Sequence, residues 1–89
     1  MATPQIPFKE KTLPAPIAGL VDEMLACYID WREDAATARD AYGRWSTSRA
    51  GEAAQLFSAY QAALDQEESA ATSYAAIVDD VGRWLHRAR

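Results

Sequence analysis

Cysteine and histidine are each present once, as Cys27 and His86, and four glycines make up the chain's whole supply. One cysteine rules out a disulfide within the chain. Zinc and iron sites draw on several His, Cys or carboxylate ligands at helical spacing, and one histidine with one cysteine falls short of that. The motifs Gly-x-Ser-x-Gly and His-Glu-x-x-His are missing, as is a glycine-rich phosphate loop. The expectation is no catalytic residue, no metal, no cofactor and no enzyme activity. Basic charge is also scarce, with nine Lys and Arg against thirteen Asp and Glu for a net charge of -4. Nucleic-acid binding needs a basic footprint, so it is not expected. No apolar run approaches the ~20 residues that span a bilayer, so no membrane partner is expected. The opening MATPQIPFKEKTLPAPIAGL has no contiguous apolar stretch of the kind a secretory signal needs. A cytoplasmic location is the expectation. Seven arginines against two lysines, with abundant alanine, suggest a GC-rich bacterial genome.

Proline is absent from most of the chain. All four prolines (Pro4, Pro7, Pro14 and Pro16) lie in residues 1–16. Proline fixes its own φ, lacks an N–H and restricts the residue before it, so 1–16 reads as an extended arm. Residues 17–89 then form one helical domain. From Ile17 the apolar positions Val21, Met24, Tyr28, Trp31, Ala35, Ala38, Tyr42 and Trp45 follow in alternating steps of four and three. That is heptad spacing over four heptads, and it predicts a helix over about 17–46. Tyr28 and Trp31 recur as Tyr42 and Trp45 fourteen residues on, which is two heptads, so both couplets share one stripe.

STSRAG, from Ser46 to Gly51, interrupts the pattern. Serine and threonine favour turns and N-caps, so Ser48 is the expected N-cap of a second helix over about 49–86. Its seam runs Ala53, Phe57, Tyr60, Leu64, Glu67, Ala71, Tyr74, Val78, Val81 and Leu85, flanked by Leu56, Ala63, Ala70, Ile77 and Trp84. Helix 1 is likewise widened at its start by Leu20, Leu25 and Cys27. The predicted fold is all-α, an antiparallel two-helix hairpin turning about Ser48, which sets Ile17–Met24 beside Ala71–Val78.

A chain of 89 residues buries only roughly 60–65% of its unfolded surface, so a bare monomer is marginal. Each stripe is wider than one partner helix covers. A second hairpin is therefore expected, giving a homodimeric four-helix bundle, unless the arm folds back over the strip. Tyr28, Trp31, Tyr42, Trp45, Tyr60, Tyr74, Ile77 and Trp84 are the expected partner or dimer interface.

Glu67 is the one charged residue in the second seam. It reads as a buried polar group near Tyr28 and Trp31, accepting from their O–H and N–H or pairing with Arg32, and setting register. Cys27 reads as a small packed hydrophobe, with a nucleophile or a symmetric intermolecular disulfide as the other options. The repeat Asp-x-x-Gly-Arg-Trp, at Asp40–Trp45 and Asp79–Trp84, predicts i,i+4 ion pairs Asp40–Arg44 and Asp79–Arg83. Gly43 and Gly82 inside it cost helix propensity and invite a packing reason. Arg83, Arg87 and Arg89, with Lys9 and Lys11, form a basic helix end. Asp22, Asp30, Glu33, Asp34, Asp65 and Glu68 read as a solvated face.

The hairpin plan of residues 17–86, with Trp45 beside the turn, resembles the small WXG-type hairpins of actinobacterial export systems. Thr47 stands where that family has the glycine of Trp-x-Gly. Val78 and Leu64 stand where its tyrosine export signal has an acid, four residues after Tyr74 and Tyr60. The likeness is one of architecture, and it implies an exported hairpin working as a heterodimer with a related chain. Three functions follow. The first is a non-catalytic protein-interaction module acting through the aromatic stripe: an adaptor, regulator or assembly subunit. The second is that exported heterodimer. The third is a small-molecule-binding bundle with a pocket lined by Tyr28, Trp31, Glu67 and Cys27.

Overall fold

A computed structural model describes residues 14–88, with side chains to residue 87. Helix α1 spans Ala15–Ser46 and helix α2 spans Ala53–Ala88. They pack against each other along their length as an antiparallel hairpin, and no strand occurs among the described residues. Their 32 and 36 residues correspond to ~48 and ~54 Å at 1.5 Å per residue. The arm expected over 1–16 lies outside the described residues up to position 13. At its end the boundary moves, because α1 takes in both Ala15 and Pro16. Proline is tolerated in the first turn, where its missing N–H has no partner to lose. The Pro14 carbonyl accepts the Ala18 N–H at 2.9 Å and so starts the helix.

The turn differs from the expectation in a way that resets the register. Ser48 does not cap α2. Its Oγ donates to the Trp45 carbonyl at 2.7 Å, while Thr47 Oγ1 and Ser46 Oγ donate to the Gly43 carbonyl at 2.9 and 3.0 Å. Three hydroxyls thus add to the backbone bonds that the Gly43 and Trp45 carbonyls accept from the Thr47 and Ser48 N–H groups at the end of α1. The chain then turns tightly, with the Glu52 N–H on the Arg49 carbonyl at 2.9 Å. Helix α2 starts only at Ala53, where the Glu52 carbonyl accepts the Leu56 N–H at 3.0 Å. The pivot therefore lies between Glu52 and Ala53 instead of at Ser48. Ring contacts confirm it: Trp31 meets Tyr74 and Trp45 meets Tyr60. Met24 accordingly reaches the level of Val81, and Ala38 that of Glu67.

Which columns face each other also differs. Ile17, Met24, Trp31, Ala38 and Trp45 on α1, and Ala53, Tyr60, Glu67, Tyr74 and Val81 on α2, line the contact as expected; all are buried or half-buried. The column beside them is the other flank in both helices. On α1 it is Leu20, Cys27, Asp34 and Ala41. On α2 it is Leu56, Ala63, Ala70, Ile77 and Trp84, and every one of these is also buried or half-buried. Tyr28, Tyr42, Phe57, Leu64, Val78 and Leu85, expected in the seam, are instead 36–50% exposed. The physical reason is size. Helix axes approach to about 8–10 Å only where the side chains between them allow it. Cys27, Ala41, Ala63 and Ala70 do so where Tyr28, Tyr42, Phe57 and Leu64 do not, while Leu20, Leu56, Ile77 and Trp84 fill the rest of the same column. Asp34, expected on the solvated face, stands half-buried in this column.

Both expected i,i+4 ion pairs form. Arg44 binds Asp40, and Arg83 reaches Asp79 at 3.6 Å while also binding Asp80. All are surface pairs, worth little each. No packing reason emerges for the two glycines, because a Cβ built at Gly43 or Gly82 meets nothing within 4 Å.

Candidate interaction face

Flank columns that cannot fit between antiparallel helices emerge on the same side of the hairpin. Here they give one face a double row: Val21, Tyr28, Ala35 and Tyr42 from α1, and Phe57, Leu64, Val78 and Leu85 from α2. The opposite side carries a largely polar groove of about 300 Å³ lined by Cys27, Asp30, Glu33, Asp34, Ser69, Ala70 and Ser73.

The fourteen-residue repeat acquires its meaning on the aromatic face. Trp31 stacks on Tyr74 with ring centroids 5.7 Å apart and planes at 10°. Tyr28 meets both at a steep angle, 6.1 Å from Trp31 and 5.6 Å from Tyr74. Two heptads towards the turn the arrangement recurs. Trp45 stacks on Tyr60 at 5.8 Å and 15°, and Tyr42 stands 6.0 and 5.4 Å from the pair. Phe57 closes this second cluster, 4.9 Å from Trp45. Stacked and edge-on rings each add ~0.5–1.5 kcal/mol beyond their burial. In both clusters the stacked pair ties the helices together, and a tyrosine stands on the outer edge. Arg32 clasps the first of these tyrosines: its Nη1 donates to the Tyr28 hydroxyl at 2.9 Å and the guanidinium lies 5.8 Å from the ring centroid.

Between the clusters the face is hollow. Ala35 and Ala38 form the floor of an open groove of about 460 Å³, with Tyr42, Tyr60 and Leu64 around it and Arg39 and Glu67 at its sides. Glu67 is half-buried rather than buried, and it lies here, not beside Tyr28 and Trp31, because the pivot is displaced from Ser48. Arg32, its suggested partner, bonds Tyr28 instead. Among the described residues Glu67 has no ion pair within 4 Å, although Arg39 shares its groove.

Six of the eight residues expected at an interface, Tyr28, Trp31, Tyr42, Trp45, Tyr60 and Tyr74, therefore gather in two clusters on one face. The other two do not join them. Ile77 is only 6% exposed and lies inside the hairpin, while Trp84 is half-buried on the same inner column. Sequence reasoning missed Phe57, Leu64, Val78 and Leu85 as surface residues by assigning them to the seam. The pocket suggested for a small molecule is not assembled: Cys27 opens onto the polar side, and Glu67 lies levels away from Tyr28 and Trp31. Arg83, His86 and Arg87 line a shallow groove with Asp79 at the end of α2, so the basic helix end is partly neutralised.

Among the described residues no group of three or more His, Cys, Asp or Glu is placed to hold a metal ion. None of the described helices is long and apolar enough to cross a membrane. The chain is a small helical hairpin carrying aromatic clusters at its surface, and no family model, curated protein or solved structure matches it.

Proposed function

We propose that this chain is a non-catalytic protein-interaction module that self-associates through its aromatic face into a four-helix bundle, and serves as an adaptor, regulator or assembly subunit. The observation that carries the reading is the double apolar row, in which Tyr42, Leu64, Val78 and Leu85 are each 39–50% exposed along one face. Side chains of roughly 150–250 Å² left that bare at six positions present on the order of 500 Å² of surface. That matches the largest apolar patch of a typical monomer, ~300–600 Å² and often functional, and is a little over half of the ~800 Å² per partner of a standard interface. The same face would suit a related chain, the heterodimer implied by the WXG-type likeness.

Leu64 is the residue to test, since it borders the hollow and is not part of either stacked pair. Leu64→Glu places a charge in the middle of the proposed contact without disturbing the helix seam. Light scattering should show self-association weakened at least ~100-fold, in keeping with an unpaired buried charge, while circular dichroism shows the helices retained. Unchanged association would remove this face from the interface. If the wild-type chain is monomeric and binds only a sibling protein, the heterodimer reading replaces self-association.

A further inference from the structure

Building on that reading, we infer that Arg39 and Glu67 form an ion pair between two copies of the chain, which sets how the copies meet. Glu67 is the one carboxylate in the central column of either helix and borders the hollow of the aromatic face. Covering the face with a second copy takes that carboxylate out of water, and a buried carboxylate without a cation is strongly unfavourable. Each copy offers one cation at that level, Arg39, which borders the same hollow.

Two hairpin faces can meet with two-fold symmetry in two ways. If the axis runs along the helices, α1 of each copy lies on α2 of the other and every level is kept. If the axis crosses the helices, α1 lies on α1. The charges distinguish the two. The arginines bordering the face, Arg32 and Arg39, both belong to α1, while Glu67 and its neighbour Glu68 both belong to α2. Stacking α1 on α1 sets the arginine-bearing helices together. Stacking α1 on α2 brings Arg39 opposite the partner's Glu67, because residue 39 and residue 67 lie at nearly the same level. It also sets each aromatic cluster on its counterpart and makes the two hollows coincide. Four side chains, two arginines and two glutamates, then fill a space that alanines leave open in each copy. The apolar rows supply the adhesion, and this pair supplies orientation and partner choice, the role for which buried polar pairs are best attested.

A charge swap tests the pair. Glu67→Arg and Arg39→Glu each leave like charges facing, so each variant alone should self-associate at least ~10-fold more weakly than wild type. An equimolar mixture of the two restores both contacts, and sedimentation with one variant carrying a mass tag should show a mixed two-chain species within ~3-fold of wild-type affinity. Circular dichroism of each variant, together with the milder Glu67→Gln and Arg39→Gln, separates weak association from failure to fold. Mixtures no tighter than the single variants would show the pair to lie within one chain and overturn the inference. So would single variants that associate like wild type. In either case, an interface that Leu64→Glu still breaks survives without the pair; if Leu64→Glu has no effect, the underlying reading fails first.

Discussion

Trp31→Ala should lower the unfolding free energy by ~3–5 kcal/mol, measured by urea denaturation at a fixed chain concentration. Trp31 is the largest side chain in the middle of α1. It stacks on Tyr74 across the hairpin and takes the edge of Tyr28 from its own helix. Removing it empties the space between two helices that have no third layer to collapse inward, so little of the cavity can close. Globular chains carry ~0.05–0.15 kcal/mol of stability per residue, or ~4–13 kcal/mol for this length. The loss is therefore a large fraction of the total, and the variant should be measurably unfolded without denaturant at low concentration. Tyr28→Ala serves as the contrast. Tyr28 is 36% exposed and stands at the outer edge of the same cluster, so its removal should cost only ~1 kcal/mol in a dilute monomer. Equal losses at the two positions would restore the column assignment read from the sequence, in which both rings face the other helix. A loss under half a kcal/mol at Trp31 would remove it from the seam.

Ile77→Ala should cost ~2–5 kcal/mol and should act on folding alone. The side chain is 6% exposed, on the inner column of α2. It stands in the column flanking the heptad seam, in a stripe wider than one partner helix covers, which is why pattern alone places it at an outer interface. If the hairpin seam holds it, the folded fraction of the variant keeps wild-type affinity for itself, and only the unfolding midpoint falls. That is the opposite signature to Leu64→Glu, where helices persist and association is lost. An Ile77→Ala variant that unfolds like wild type but associates weakly would exchange the inner and outer faces assigned here.

These two residues mark where the sequence is legible. Heptad spacing from Ile17 to Trp45 and from Ala53 to Leu85 identifies two helices and their contact columns, because proline and strand-forming alternation are both absent there. It does not choose between the two flanks of each column. Both flanks are largely apolar, and volume favours one at four positions: Cys27, Ala41, Ala63 and Ala70 admit a neighbouring backbone, whereas Tyr28, Tyr42, Phe57 and Leu64 do not. Ile77 and Trp84 against Val78 and Leu85 give no such signal. The turn is equally ambiguous in the sequence. Ser46, Thr47 and Ser48 can serve either the helix behind them or the one ahead, and their hydroxyls go back to the Gly43 and Trp45 carbonyls. Moving the pivot from Ser48 to the Glu52–Ala53 bond carries Glu67 away from Trp31 and into the hollow beside Arg39. A few residues of turn thus decide whether that carboxylate lies beside a tryptophan or in the hollow with Arg39.

The most direct measurement is the mass of the unmodified chain in solution over a wide dilution series. The aromatic face, if it is an interface between copies, gives a species of twice the 9.8 kDa chain mass at micromolar concentration, with thermal stability that rises with concentration. A 9.8 kDa species at every concentration, fully helical and melting at one temperature throughout, would contradict it.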